Sequence, residues 1–210
     1  MSGVRRRAAT GAGVVAMLIA ALSVGQVVVG EVDEIDVLSP AQPFVARGAV
    51  GEPVELRYAE VTATRVRATD RMHTPSGGEE TSTAVFLVVD LEVVARHRSS
   101  VFNGLRVVGG DGRTYLATSR TGCADAGVTA STGVPTYWMA CVELPESALE
   151  GAALQVARGG EINTGDRRDH LAEIDLGIDA ALAERLARAS APIQAEPPGF
   201  QPYPGAGDGA

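Results

Sequence analysis

The sequence predicts an all-β protein, built as one antiparallel β-sandwich behind an N-terminal membrane helix and ahead of a short C-terminal helix. Three observations predict it. Residues 83–95 alternate strictly, with Val85, Leu87, Val89, Leu91 and Val93 on one side; a period of two is the signature of a strand with one buried face. About seven short β-rich runs recur at roughly ten-residue spacing with turn residues between them, the rhythm of a sandwich. Ahead of them, Ala8–Gly30 holds no charged residue, and at about 1.5 Å per residue it reaches roughly 34 Å as a helix, enough to cross a bilayer core of about 30 Å.

The chain has 210 residues and a net charge of −8. Arg5, Arg6 and Arg7 precede the apolar run, and Glu31, Asp33, Glu34 and Asp36 follow it. Positive charge stays inside, so residues 1–7 are expected in the cytoplasm and the rest outside. The rival is a cleaved signal peptide ending near Ala21-Leu22-Ser23. The run continues through Val27-Val28-Val29, which favours a retained signal-anchor over residues 8–30. Either way the bulk of the chain is exported. The run holds no cysteine, so it is no lipoprotein anchor.

All 18 basic residues are arginine, a composition that fits a high-GC genome. The fifteen arginines beyond the N-terminal cluster face all 26 acids, a balance of −11. Such a domain repels phosphate backbones, so nucleic acid is excluded as a partner.

Residues 31–52, acidic and then small with Pro40 and Pro43, read as a juxtamembrane stalk. The sandwich is expected over 53–178. Val54–Tyr58 and Val61–Ala68 are its first strands, and Asp70–Glu80, with Pro75 and Gly77-Gly78, is a loop. In the strongest strand, Thr83–Ala95, the second face carries Phe86, Val88, Asp90, Glu92 and Val94, a mixed and partly wet set. Leu105–Val108 and Arg113–Thr118 flank Gly109-Gly110-Asp111-Gly112, a hairpin signal. Thr136–Leu144 places Trp138, Ala140, Val142 and Leu144 on one side. Ala153–Ala157 and Leu171–Ile178 are shorter candidates. Asp179 is a candidate N-cap for a helix over 179–189, with Glu184 and Arg188 as an i,i+4 pair. From Ser190 the composition collapses to Pro, Gly and Ala, so 190–210 is expected to be disordered or polyproline-like.

Val61–Gly159 resembles a family of exported bacterial domains of unknown function. The residues that carry the likeness are FLVVDLEVVA (Phe86–Ala95), RVVGGDGRTY (Arg106–Tyr115), WMACVELP (Trp138–Pro145) and AALQVA (Ala152–Ala157). The family is similar to secreted mycobacterial immunoprotective antigens. The resemblance implies an immunoglobulin-like, telokin-like sandwich in an exported protein, and brings no catalytic residues with it.

Few residues are candidates for chemistry. Cys123 and Cys141 are the only cysteines; an even count in an exported chain points to one structural disulfide. There is no CxxC and no neighbouring histidine to suggest a redox or metal pair. His73, His97 and His170 are scattered and read as independent surface residues. Asp90 and Glu92 share a strand face; on a sheet they face water or pair with arginines of a neighbouring strand more often than they act as an acid–base pair. Glu31–Asp36 lacks the spaced oxygen ligands of a calcium loop. Phe200 and Tyr203 sit in a segment of the kind that docks in partner grooves, although a passive end is the simpler reading. No catalytic residue, metal or cofactor is expected. The leading expectation is a non-enzymatic interaction module that binds another envelope protein or a wall component. The alternative is a small-ligand or lipid carrier with a pocket in the sandwich.

Overall fold

A computed structural model describes residues 43–118, 120–123, 127–158 and 169–204. The expected cytoplasmic end, the 8–30 anchor and the first part of the stalk lie outside the described residues, as does the end of the tail. Among the described residues no helix is long and apolar enough to cross a membrane.

The described residues form an all-β sandwich with one short α-helix among them. Its strands are β1 (Phe44–Ala49), β2 (Val54–Glu55), β3 (Ala59–His73), β4 (Glu79–Ala95), β5 (Ser100–Val108), β6 (Thr114–Leu116), β7 (Val128–Ala130), β8 (Thr136–Leu144), β9 (Ala153–Arg158), β10 (His170–Asp175) and β11 (Ile193–Gln194). One sheet runs β1-β10-β9-β5-β6, with β7 also on β5; the other runs β11-β3-β4-β8, with β2 also on β3. The expected antiparallel pairing holds through the body and fails at two edges, where β1 lies parallel to β10 and β11 parallel to β3. Both exceptions are segments the sequence reading left out of the sandwich.

The main core lies between the sheets. The inward side of β4, Val85, Leu87, Val89, Leu91 and Val93, is buried there with Trp138, Ala140, Val142 and Leu144 of β8. Each such aliphatic side chain contributes roughly 1.5–3 kcal/mol by leaving water. A tilted aromatic row, Tyr58–Phe102–Trp138, joins the two sheets with ring centroids 5.8 and 5.7 Å apart.

β3 keeps its apolar residues in this core by slipping phase. Ala59, Val61 and Ala63 alternate at odd positions, then Val66 and Ala68 at even ones. The slip is a bulge between Ala63 and Arg65 in the pairing with β4; an extra residue reverses which side chains face inward. The Thr64 hydroxyl donates to the Asp90 carbonyl there. A second shift falls between Thr69 and Arg71.

Three expectations are corrected. The stalk assigned to 31–52 contains β1, because Phe44–Ala49 finds an open edge on β10. The loop assigned to 70–80 shrinks to a tight reversal at 74–78, closed by a Thr74 amide bond to the Gly78 carbonyl, with Gly77 at φ +86°. β3 and β4 extend into the rest because each satisfies the other's backbone. The tail from Ser190 is ordered through Pro204 and carries β11. A further short strand, β7, lies between β6 and β8.

The turn after β5 depends on glycine. A Cβ at Gly110 would lie 1.7 Å from the Glu150 carbonyl oxygen, so only a residue without one fits. The helix, α1 (Ala180–Ala187), starts where Asp179 Oδ1 accepts from the Leu182 amide at 2.7 Å.

Candidate functional site

One cluster of charged side chains lies on the outward face of β3, β4 and β8. The bulge in β3 turns Arg65 and Arg67 onto this face, beside Asp90 of β4. Arg65 Nε donates to Asp90 Oδ2 and Arg67 Nη2 to Oδ1, both at 2.7 Å. The Asp90 side chain is 2% exposed, against 23% and 25% for the two arginines. Two guanidinium groups on one carboxylate leave a local surplus of one positive charge. Arg65 Nη1 also grips the Pro204 carbonyl at 3.0 Å. Arg67 Nε is buried without a hydrogen-bond partner.

Around this cluster lies a second apolar core: Met72, Phe86, Val88, Met139, the two cysteines, Ile193, Ala195 and Tyr203. Its cover is the C-terminal segment 191–204, which crosses the face as a strap. It begins at the β3 edge, where the Thr69 hydroxyl and Arg71 donate to the Ala191 and Ser190 carbonyls. β11 then pairs with Met72 and His73. It finishes at the β8 edge, where Gly199 and Tyr137 exchange two backbone bonds of 2.8 and 3.0 Å. Tyr203 folds back, its hydroxyl donating to the Tyr137 and Pro197 carbonyls. Burial, with the charges of Asp90 and Glu196 added, holds the Tyr203 phenol well above its ordinary range. A cleft of about 250 Å³, lined by Thr64, Asp90, Glu92, Tyr137, Pro202 and Tyr203, opens beside the strap. Burial and the neighbouring Glu92 carboxylate push the Tyr137 phenol up as well.

Cys123 and Cys141 form a disulfide, with Cα atoms 5.8 Å apart and both residues buried. It fixes the loop after β6 to β8 beneath the same cover.

A second carboxylate is held in the same way at the end where the chain enters β1. Asp169 accepts from Arg57 Nη2 at 2.9 Å and pairs with Arg158 at 2.5 Å. Burial works to raise its pKa. The His170 amide, the Arg57 hydrogen bonds and the charges of Arg158 and Arg57 outweigh burial and hold the carboxyl below its ordinary value. The Arg158 guanidinium lies 4.8 Å from the Tyr58 ring centroid, a cation–π contact.

The structure does not bring the three histidines together. His73 ends β3 and pairs with Glu79 at 3.8 Å. His97 is exposed in the turn after β4, at the opposite end, and His170 begins β10. Among the described residues no group of three His, Cys, Asp or Glu is placed to hold a metal ion. Glu31–Asp36 lies outside the described residues. Tyr203 is buried, while Phe200 is 69% exposed.

The sequence reading named Asp90 and missed Arg65 and Arg67 as its specific partners. The signal was present, as the odd-to-even slip of apolar residues in β3.

No protein-family model matches the chain, and no curated protein matches it. Among solved structures the chain is similar to the yjhA protein of Bacillus subtilis, at 12% identity and a TM-score of 0.45, with 61% of this chain and 99% of that one covered. It is similar to an uncharacterised β-sandwich protein of Clostridium difficile, at 9% identity and a TM-score of 0.39, with 63% and 95% covered. A conserved hypothetical protein of Bacillus anthracis gives 14% identity and a TM-score of 0.41, with 52% and 88% covered.

Proposed function

We propose that this chain is a non-enzymatic interaction module of the cell envelope, tethered by residues 8–30 with its N-terminus in the cytoplasm, whose sandwich contacts another envelope protein or a wall component. The observation that carries the reading is the buried Cys123–Cys141 disulfide, a bond that persists in oxidising compartments outside the cytoplasm. We read the sandwich as immunoglobulin-like, akin to the exported domains that its FLVVDLEVVA and WMACVELP segments resemble.

The chemistry of the buried carboxylates supports a non-enzymatic role. Asp90 and Asp169 are each clamped by two arginines. A carboxylate so neutralised is a poor general base and serves packing. The carrier alternative calls for a pocket between the sheets, where Phe102, Trp138 and Leu91 pack instead. The cleft beside the strap, at about 250 Å³, lies on the outer face and not between the sheets.

The test uses the full-length chain in its own cells. Alkylation before and after reduction reads the disulfide, and protease added to spheroplasts reads topology. Expected are two thiols reactive only after reduction and a sandwich open to external protease. Free thiols with a protected sandwich would overturn export. The chain has no lysine, so partner capture needs photoreactive or carboxyl-directed crosslinkers. One dominant envelope adduct, lost when residues 53–189 are deleted, supports the partner; no adduct overturns a protein partner.

A further inference from the structure

The walls of the second apolar core are not equally held. Its floor is β4 and β8, paired without a break from Val85 with Leu144 to Val93 with Thr136. The reversal at Thr74–Gly78 reaches the loop that carries Cys123: a Cβ on Gly122 would lie 2.7 Å from Pro75 Cδ. Arg120, in that loop, binds Glu80 and the Thr81 carbonyl of β4 and Glu143 of β8. The strap, by contrast, is held at separated points. Five of its fourteen residues, Pro192, Pro197, Pro198, Pro202 and Pro204, are proline and have no backbone N–H to give. It therefore makes no continuous ladder. Only Ile193, Ala195 and Tyr203 of the strap are buried, while Pro197, Pro198, Phe200 and Pro202 face water.

The two cores also divide between them what the strap touches. Among the described residues, none from the strap belongs to the core between the sheets, whereas Ile193, Ala195 and Tyr203 share the second core with both cysteines. Lifting the strap thus leaves the main core intact, and openings of that kind lie at the low end of a protein's stability scale. Cys123 and Cys141 are 2% and 1% exposed. Thiol–disulfide exchange needs a thiolate to reach one of the two sulfurs, and in the closed core neither is open to one.

We propose that the strap gates the Cys123–Cys141 disulfide: it lifts as a unit from an otherwise folded sandwich, and only then does a dithiol reductant reach the bond. The inference goes beyond the envelope reading and holds whatever the compartment. The reductant's thiolate attacks one sulfur, forming a mixed disulfide and releasing the other cysteine. Its second thiol then closes a ring and expels the first cysteine. Two electrons and two protons pass from the dithiol to the pair. The lifetime of the bond in a reducing medium is then set by how often the strap opens, not by how often the domain unfolds.

The experiment treats the oxidised full-length chain, in lipid nanodiscs, with dithiothreitol. Samples are quenched by alkylation, and the mass shift at Cys123 and Cys141 is followed with time. Tyr203→Ala removes the largest anchor of the strap and should speed reduction roughly tenfold or more without urea. Val89→Ala weakens the main core and leaves the strap anchored, so it should change the rate by less than about twofold. Reduction should also rise with urea far less steeply than global unfolding does, because lifting a strap exposes little surface. Equal rates for the native chain and Tyr203→Ala overturn the proposal, since the sulfurs are then reached by another route. A urea dependence as steep as that of global unfolding overturns it too, as does a Val89→Ala acceleration that matches Tyr203→Ala; either means that the whole domain must unfold. If Tyr203→Ala does not fold, Tyr203→Phe carries the same comparison at a smaller amplitude, because it keeps the ring and loses the bonds to the Tyr137 and Pro197 carbonyls.

Discussion

The two faces of β4 solve the same problem in different ways. Its inward side chains meet a second sheet, with every neighbour fixed by backbone pairing. Its outward side chains meet a strap of proline-rich chain that touches down at Ile193, Ala195 and Tyr203. Both faces end up dry: Val88 and Val89, adjacent on the strand, are 0% and 1% exposed. Burial alone therefore says little about how a site answers damage; what matters is whether its cover can move.

The largest test of that contrast is the disulfide, which lies under the strap. The 18-residue separation predicts a loss of about 3 kcal/mol when Cys123 and Cys141 are both changed to Ser, read as a lower urea midpoint. A loss near zero would mean that the strap holds the loop by itself.

Next is Asp90→Ala, which leaves Arg65 and Arg67 facing each other beneath Tyr203. Losing one partner of a buried pair costs about 3–5 kcal/mol. The arginines remain about a quarter exposed, so the expected loss is about 2 kcal/mol. Replacing all three groups with apolar side chains of similar volume should recover most of it.

The sharpest comparison is Val89→Ala against Val88→Ala: the same deletion on the same strand, one facing each cover. The inward change should cost about 2 kcal/mol, and the outward one about half that, because the strap can settle into the gap while a sheet cannot. Equal losses in denaturant titrations would show the strap to be as rigid as the sheet.

Tyr203→Phe removes one hydroxyl and its bonds to two carbonyls. The expected cost is about 1 kcal/mol, with faster hydrogen exchange at the Gly199 and Tyr137 amides.

The smallest effect is with pH. Asp169 does at the rim of the inner core what Asp90 does under the strap. Its folded pKa lies below the ordinary value, so the folded state releases the proton more readily than the unfolded chain. Its contribution is present at neutral pH. It fades as pH falls below about 3.9, the ordinary Asp value, and on through the folded value. Asp169→Asn should flatten that part of the acid limb of the stability profile.

The same contrast explains what could be read in advance. A face buried by a sheet leaves a period of two in its own sequence, and Val85–Val93 and Trp138–Leu144 showed it. A face buried by a strap leaves its evidence in two distant places. Phe86 and Val88 read as part of a half-wet face because their cover, at Ile193, Ala195 and Tyr203, lies more than a hundred residues downstream, in chain whose composition resembles a loose end. Three anchors among prolines and glycines make no periodic pattern. β1 was missed for a related reason: six residues, FVARGA, are too few to show alternation, and their partner β10 lies 126 positions away. The Asp90 cluster was half visible, since the carboxylate was named but its arginines needed the bulge to face it.

The parallel pairing of β1 with β10 has a mechanical consequence. Force arriving through the chain at Pro43 enters along the axis of β1. In that geometry the β1–β10 hydrogen bonds are loaded together in shear, rather than peeled one after another. The first of them, from the Phe44 amide to the Asp169 carbonyl at 3.1 Å, ends on the residue that Arg57 and Arg158 clamp to the rest of the domain. A pull on Phe44 along the strand would thus be passed to a carboxylate braced by two ion pairs.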